Sequence, residues 1–231
     1  MRRVMLKLSG EALAGGEGNG FDFKTVDSIC KQIKKIKTKN LQIAIVTGGG
    51  NFIRGKILTN IDKYKADEIG MLSTYMNSIY IQSVLKVNGI ESEVYGAFPI
   101  SDMAEVFSKY KAIDDMNNGK VVILAGGTGH PYFTTDTGVV LRSIELECTE
   151  LLLAKSIDGV YDKDPMKHSD AKKYKKVAMQ EMFDKKLEVI DLSATVLCLS
   201  NKLNIRVFPL NEKNSIIKAI KGEDIGTLVY N

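Results

Sequence analysis

Short aliphatic and β-branched runs that end in glycine or polar clusters alternate along this chain with segments whose apolar residues recur at helical spacing. The runs predict strands over residues 4–8, 41–47, 93–97, 121–125, 151–155 and 205–208. Between the first two, Phe23, Val26, Ile29, Cys30, Ile33 and Ile36 define one face of a helix, with Asp22 placed to cap its start and Asn40 at its stop. Similar spacing predicts helices over about 67–88, 102–117, 137–147, 194–203 and 215–221. Such alternation implies an α/β fold in which helices cover both faces of a mostly parallel sheet. The polar stretch 162–176 reads as a surface excursion, and no internal repeat or low-complexity segment is present.

With 231 residues, 44% of them hydrophobic, the chain can bury one sizeable core, which predicts a single domain over 1–231. No apolar run approaches the roughly 20 residues needed to cross a bilayer, so a membrane span is excluded. Met1-Arg2-Arg3 leads straight into the first strand without an apolar leader, and a cytoplasmic location is expected. Cys30, Cys148 and Cys198 are isolated, and His130 and His168 lie far apart, so neither a disulfide framework nor a structural zinc site is readable. The net charge of +4 comes with lysines spread along helical faces, such as Lys31, Lys34 and Lys35, and with no tryptophan. That pattern argues against a nucleic-acid surface and leaves room for a small anionic ligand held by a few placed cations.

Glycines fall where such a ligand would bind, beyond the carboxyl ends of predicted strands: Gly10, then Gly48-Gly49-Gly50, then Gly126-Gly127 and Gly129. Two familiar loops fail on inspection. Residues 50–56 match the first seven positions of GxxxxGK[ST], but the eighth is Ile57, which has no hydroxyl for Mg²⁺. Neither 15–20 nor 126–132 satisfies GxGxxG. What remains is a set of glycine turns accompanied by Lys7, Arg54, Asp67, Asp136, Asp164 and Asp191. Lys7 stands between Leu6 and Leu8 within a strand, where a lysine either needs a buried partner or points outward at an edge. Phosphoryl transfer is the chemistry that uses this collection, because its loose transition state leaves the protein much negative charge to position and little covalent work.

The motifs then resemble a known family. Leu6-Lys7-Leu8-Ser9-Gly10-Glu11, Gly48-Gly49-Gly50-Asn51 with Arg54-Gly55, and Asp158-Gly159-Val160-Tyr161 with Asp164-Pro165 resemble the amino acid kinase superfamily. Within it, the 128–136 run (Thr128-Gly129-His130-Pro131-Tyr132-Phe133-Thr134-Thr135-Asp136) and the 67–72 run are similar to the bacterial UMP kinases. The likeness runs from about residue 4 to residue 229 in the family's order and spacing. It implies a three-layer αβα sandwich that phosphorylates UMP to UDP with ATP and Mg²⁺ in pyrimidine nucleotide biosynthesis, as a homohexamer.

By position, the resemblance implies that Lys7, Leu8, Ser9 and Gly10 lie along the ATP phosphates, with Gly50 and Arg54 at the transfer point and Lys155, Tyr161 and Asp164 toward the adenosine. Gly49 would meet the UMP phosphate and Asp67 the ribose hydroxyls. Thr128, Gly129, His130, Pro131, Tyr132, Phe133, Thr134 and Thr135 would enclose the rest of UMP. Lys7, Arg54, Asp136 and Asp191 form the implied catalytic set, the aspartates orienting Lys7 or the metal, whose ligands remain unassigned. The chain departs from the pattern at His130, where asparagine is common, and at Lys155, in a segment where some relatives have threonine. A kinase of small carboxylates or carbamate, and a nucleotide-binding regulator without catalysis, are the competing expectations. Bacterial UMP kinases often respond to GTP, in some relatives with the help of basic residues on segments matching Glu93 and Lys120, and the first of these is acidic here.

Overall fold

The computed structural model describes residues 1–53, 60–187 and 189–231. Its centre is β1 (Arg2–Leu8), which pairs in parallel with β2 (Leu41–Thr47) on one side and β6 (Glu150–Lys155) on the other. Beyond β2 lie β5 (Val121–Ala125), β3 (Ser92–Gly96) and the two-residue β4 (Glu105–Val106). Beyond β6 come β8 (Asn204–Pro209), β9 (Thr227–Tyr230) and β7 (Lys176–Ala178). Among the paired strands of the described residues β8–β9 is the antiparallel one, and isolated antiparallel bridges join Ile100 to Ala104 and Tyr161 to Lys173, so the expected mostly parallel sheet is present.

Alternation along the strands divides the core between the two faces of the sheet. Val4, Leu6, Leu8, Ile43 and Ile45 pack with α2 (Phe23–Ile36), α3 (Lys63–Val87) and α8 (Ser215–Lys221). Met5, Ala44, Val46 and Leu153 pack on the other face with α4 (Lys109–Asn117), α5 (Thr135–Glu145), α6 (Met179–Asp184) and α7 (Leu192–Asn201). The result is the three-layer αβα sandwich. Apolar spacing suffices for α2, whose Val26, Ile29, Cys30, Ile33 and Ile36 are all buried and whose cap is Asp22, accepting from the Lys24 and Thr25 amides.

Several expected boundaries need correction. Helix α2 ends at Ile36, with Lys37 as its C-cap, rather than running to Asn40, which sits in the turn leading to β2. The helix expected from 102 begins only at Lys109, because Glu105 and Val106 pair with Tyr95 and Gly96 and extend the sheet edge instead. Helix α3 starts earlier than expected, at Lys63, where Asp62 caps it by accepting from the Lys65 amide. The short strands β4, β7 and β9 and the five-residue α1 (Gly10–Ala14) were outside the reading from periodicity. Lys7 is not at an edge: β1 is paired on both sides, and the residue is 7% exposed.

Candidate active site

The carboxyl ends of β1, β2, β5 and β6 open on one edge of the sheet, and the turns that follow β1 and β2 touch there. A Cβ on Gly10 would stand 2.5 Å from the Gly50 amide nitrogen, and one on Gly49 would stand 2.4 Å from Ser73 Oγ. Side chains are excluded at both places, so at these glycines the opening is lined by main chain alone. Ser9 caps α1 by accepting from the Ala12 amide. Leu8 contributes only main chain, its carbonyl accepting from the Gly48 amide, while its side chain is in the core.

Pleating turns Lys7 to the same face as Met5, toward α5. Its Nζ donates to Asp136 Oδ1 at 2.6 Å, so the lysine has the partner its position demanded. The other Asp136 oxygen lies 3.8 Å from Lys155 Nζ, which also donates to the Val189 carbonyl. One carboxylate therefore stands between two lysines at the ends of neighbouring strands. Burial pulls the Lys155 pKa below its ordinary value, with Asp136 opposing and Lys7 adding to that fall.

Asp191 has a different place from the one expected of a group that orients Lys7. It caps α7 by accepting from the Ala194 amide, and it accepts from the hydroxyls of Thr137 and Thr134. Burial would raise its pKa, but the bonds from Thr134, Ala194 and Thr137 outweigh that and hold it below the usual carboxylate range. Thr134 in turn caps α5, accepting from the Asp136 and Thr137 amides. The Thr134–Asp191–Thr137 cluster thus locks the starts of α5 and α7 together, and Asp136 rides on the first of them.

Three cavities run in series along this edge. The first, about 250 Å³, is lined by Gly49, Gly50, Asp67, Gly70, Met71, Thr74, Gly127, Thr128, His130, Phe133, Thr134 and Thr135, with Ile53 and Ala66. The second, about 280 Å³, shares Gly49, Gly50 and Thr135 with it and adds Lys7, Ser9, Gly10 and Lys155. The third, about 880 Å³, shares Lys155 with the second and is walled by Met182, Phe183, Leu187, Val189, Ile190, Asp136 and Asp191.

Most residues singled out in the sequence converge here, with exceptions. Gly129, Pro131 and Tyr132 belong to the loop but do not line the first cavity. Tyr132 holds a left-handed φ of 71°, and its amide donates to Asp67 Oδ2 at 2.7 Å. Tyr161 donates to Asp158, and Asp164 accepts from the Met166 amide; neither lines any of the three cavities. Arg54 lies outside the described residues. Gly70 and Met71 entered the sequence reading only within the 67–72 run, without a site role, and Thr74 escaped it, although all three follow Asp67 at helical spacing, the one signal that could have found them. The wall of the third cavity escaped too, since 182–190 is neither strand-like nor glycine-rich.

Residues 2–209 match the amino acid kinase family. A crystal structure of a UMP kinase from Bacillus anthracis is 35% identical and superposes with a TM-score of 0.95, over 99% of this chain and 96% of that one. The UMP kinase from Ureaplasma parvum is 30% identical with a TM-score of 0.94, over 100% and 99%. The uridylate kinase from Archaeoglobus fulgidus, at 25% identity, gives 0.75 over 99% and 100%.

Proposed function

The chain belongs to the amino acid kinase family, and from that membership and the series of cavities we propose that it is a UMP kinase, moving the γ-phosphoryl group of ATP to UMP to give UDP and ADP. The observation that carries the site reading is the Lys7–Asp136 pair, 2.6 Å long, with Lys7 lining the cavity that joins the other two and Asp136 lining the third. The first cavity is the acceptor site. Asp67, at its rim, offers a carboxylate to ribose hydroxyls, and the glycine turn at 49–50 offers N–H groups to the UMP phosphate. The third cavity takes the donor nucleoside, its apolar wall suiting a purine face. A further space of about 790 Å³ on the other side of Lys155 is lined by both signs, Glu11, Asp22 and Glu212 against Lys24, Lys155 and Lys213, and so offers a polyphosphate no net positive charge.

In the reaction a UMP phosphate oxygen bonds to the γ-phosphorus while the bond from that phosphorus to the bridging oxygen breaks, and ADP leaves with the electron pair. Lys7 stabilises the charge that shifts between the two sides, Lys155 neutralises donor phosphates, and Asp136 orients both cations. Asp191 acts through Thr134 and Thr137, by fixing the start of α5. Arg54 is proposed as a further cation at the transfer point, and Tyr161 and Asp164 as contacts at the adenosine end.

Mg²⁺ fits this arrangement. No group of three or more metal-binding side chains exists among the described residues, but this ion is ordinarily held by nucleotide phosphates with one or two carboxylates and water. Asp136 is the carboxylate that would hold it, and the bound ion would offset phosphate charge. A homohexamer, a single domain and a cytoplasmic location in pyrimidine nucleotide synthesis complete the proposal; no helix among the described residues is long and apolar enough to cross a membrane.

ADP release measured with UMP, CMP, acetylglutamate, aspartate and carbamate in parallel tests the reading. Turnover confined to UMP is expected. Turnover with a carboxylate or carbamate would move the chain to another branch of the family, and none with any acceptor would favour a regulator.

A further inference from the structure

Helix α3 buries a row of polar side chains, Ser73, Thr74, Asn77 and Ser78, on the face where a helix covering a sheet ordinarily places aliphatic ones. Asn77, like Ser78, is fully enclosed, at 0% exposure. Its Nδ2 donates to the Gly48 carbonyl at 2.5 Å and to Asn51 Oδ1 at 2.8 Å, while its Oδ1 accepts from Asn51 Nδ2 at 2.9 Å. Asn51, 2% exposed, also donates from Nδ2 to the Gly20 carbonyl at 2.8 Å. Its own carbonyl accepts from the Gly20 amide at 2.9 Å. The two amide side chains thus pair face to face beneath the 48–51 turn and are anchored at both of its ends.

A leucine at position 77 would add apolar burial without any hydrogen bonds to satisfy, whereas an amide there is tolerable only because each group finds a partner. The pairing therefore buys position more than stability. The position it sets is that of Gly49 and Gly50, which line both the first and second cavities. Asn77 itself lines neither.

We propose that Asn77 is a positioning residue for phosphoryl transfer: through the Gly48 carbonyl and Asn51 it fixes the glycine turn between acceptor and donor without touching either substrate. The proposal rests on the kinase reading above. Losing it leaves UMP able to bind, through Asp67 and the 128–135 loop, but with its phosphate out of line with the transferred group. A displacement of about 1 Å at such a point costs up to about 100-fold in rate.

The test compares Asn77→Ala, Asn77→Ser, Asn51→Ala and the double Asn51→Ala/Asn77→Ala with wild type. Ser78→Ala serves as the control, because Ser78 is equally buried but faces Thr47 Oγ1 at 3.3 Å, not the turn. The expected result is a kcat lowered about 10- to 100-fold with the UMP KM within about threefold. The double variant should lose about as much as the worse single one, since both act through one pair. Deuterium exchange over 48–52 should quicken while exchange over 126–129 stays as in wild type, and Ser78→Ala should lower the melting temperature without lowering kcat. A folded Asn77 variant with wild-type kcat, additive losses, or unchanged exchange over 48–52 overturns the proposal. If Asn77→Ala does not fold, Asn77→Ser, which keeps a short donor, and Asn51→Ala decide. A wild-type protein inactive on UMP defeats the kinase reading instead, and the exchange comparison alone then decides whether Asn77 holds the turn.

Discussion

The proposed acceptor and donor sides of the sheet edge differ in what holds them. On the acceptor side, buried side chains of one long helix reach the strand-end turns: Asn77 holds Gly48, Thr74 accepts from the Gly126 amide at 2.7 Å, and Tyr75 donates to the Phe98 carbonyl at 2.6 Å. Asp67 adds a fourth tie, to the Tyr132 amide. The donor side is more than three times as large, about 880 Å³ against 250 Å³, and its wall is a run of apolar side chains around α6 and the start of α7. A cavity bounded by fixed polar groups rejects a wrong partner by leaving those groups unpaired, whereas an apolar slot discriminates weakly. Selectivity should therefore reside on the acceptor side, and the donor side should supply charge and a surface for the base.

The largest expected effect comes from Lys7, which lines the cavity between the two sides. Lys7→Ala should lower turnover by about 1000-fold or more, as loss of a preorganised electrostatic partner does, while UMP binding changes only a few-fold. Single-turnover rates and UMP titration by calorimetry separate the two, and near wild-type turnover would remove Lys7 from the transfer step. Asp67→Ala sharpens the contrast: losing a charged hydrogen-bond partner should raise the UMP KM about 10- to 100-fold and leave the ATP KM nearly unchanged. The opposite order would place Asp67 on the donor side.

On the donor side the expected signature is a pH profile. Burial lowers the Lys155 pKa below its ordinary value of 10.5, and only the protonated form can neutralise donor phosphates. Charge is lost as pH rises through that lowered value. In the free enzyme, kcat/KM for ATP should then decline about tenfold per pH unit along an alkaline limb that begins below the ordinary lysine range. Lys155→Arg, which stays protonated, should move the limb upward. An unchanged limb in that variant would mean that another group titrates.

How far the sequence disclosed these two sides differs as well. Strands with continuous aliphatic runs and the amphipathic α2 were legible because burial and period coincide in them. Strands β4, β7 and β9 were not, since segments of two to four residues carry no period and owe their state to pairing with a neighbour. The acceptor loop could be read from the 128–136 run. Its supports could not, because Asn51 and Asn77 are 26 positions apart and nothing in a single chain says that two amides meet. Lys7 could be flagged for needing a partner, but its partner Asp136 lies 129 positions away. The apolar donor wall gave no chemical signal at all.

The smallest expected effect lies away from both cavities, on β3 and at the start of β5. Family resemblance leads one to expect stimulation by GTP through basic groups on these segments, yet Glu93 occupies one of the two positions. The structure makes the deficit larger. Lys120 Nζ lies 3.1 Å from Glu93 Oε1 and 3.0 Å from Asp115 Oδ1, so its single positive charge already faces two carboxylates. Those two bonds, Asp115's first, raise the Lys120 pKa, which keeps it charged but committed. Asp115 also accepts from the Tyr95 hydroxyl at 2.6 Å, which holds that carboxylate in place. A triphosphate approaching this group meets a net negative patch, and a like-charge contact at about 4 Å costs on the order of 1 to 4 kcal/mol. That cancels much of a typical allosteric coupling of about 1–3 kcal/mol. Initial rates at subsaturating ATP and fixed free Mg²⁺ should therefore change by less than about twofold on adding GTP. Glu93→Ala should free Lys120 enough to raise that response. A several-fold stimulation already present in wild type, and unaltered by Glu93→Ala, would show that the effector is held by groups other than this cluster.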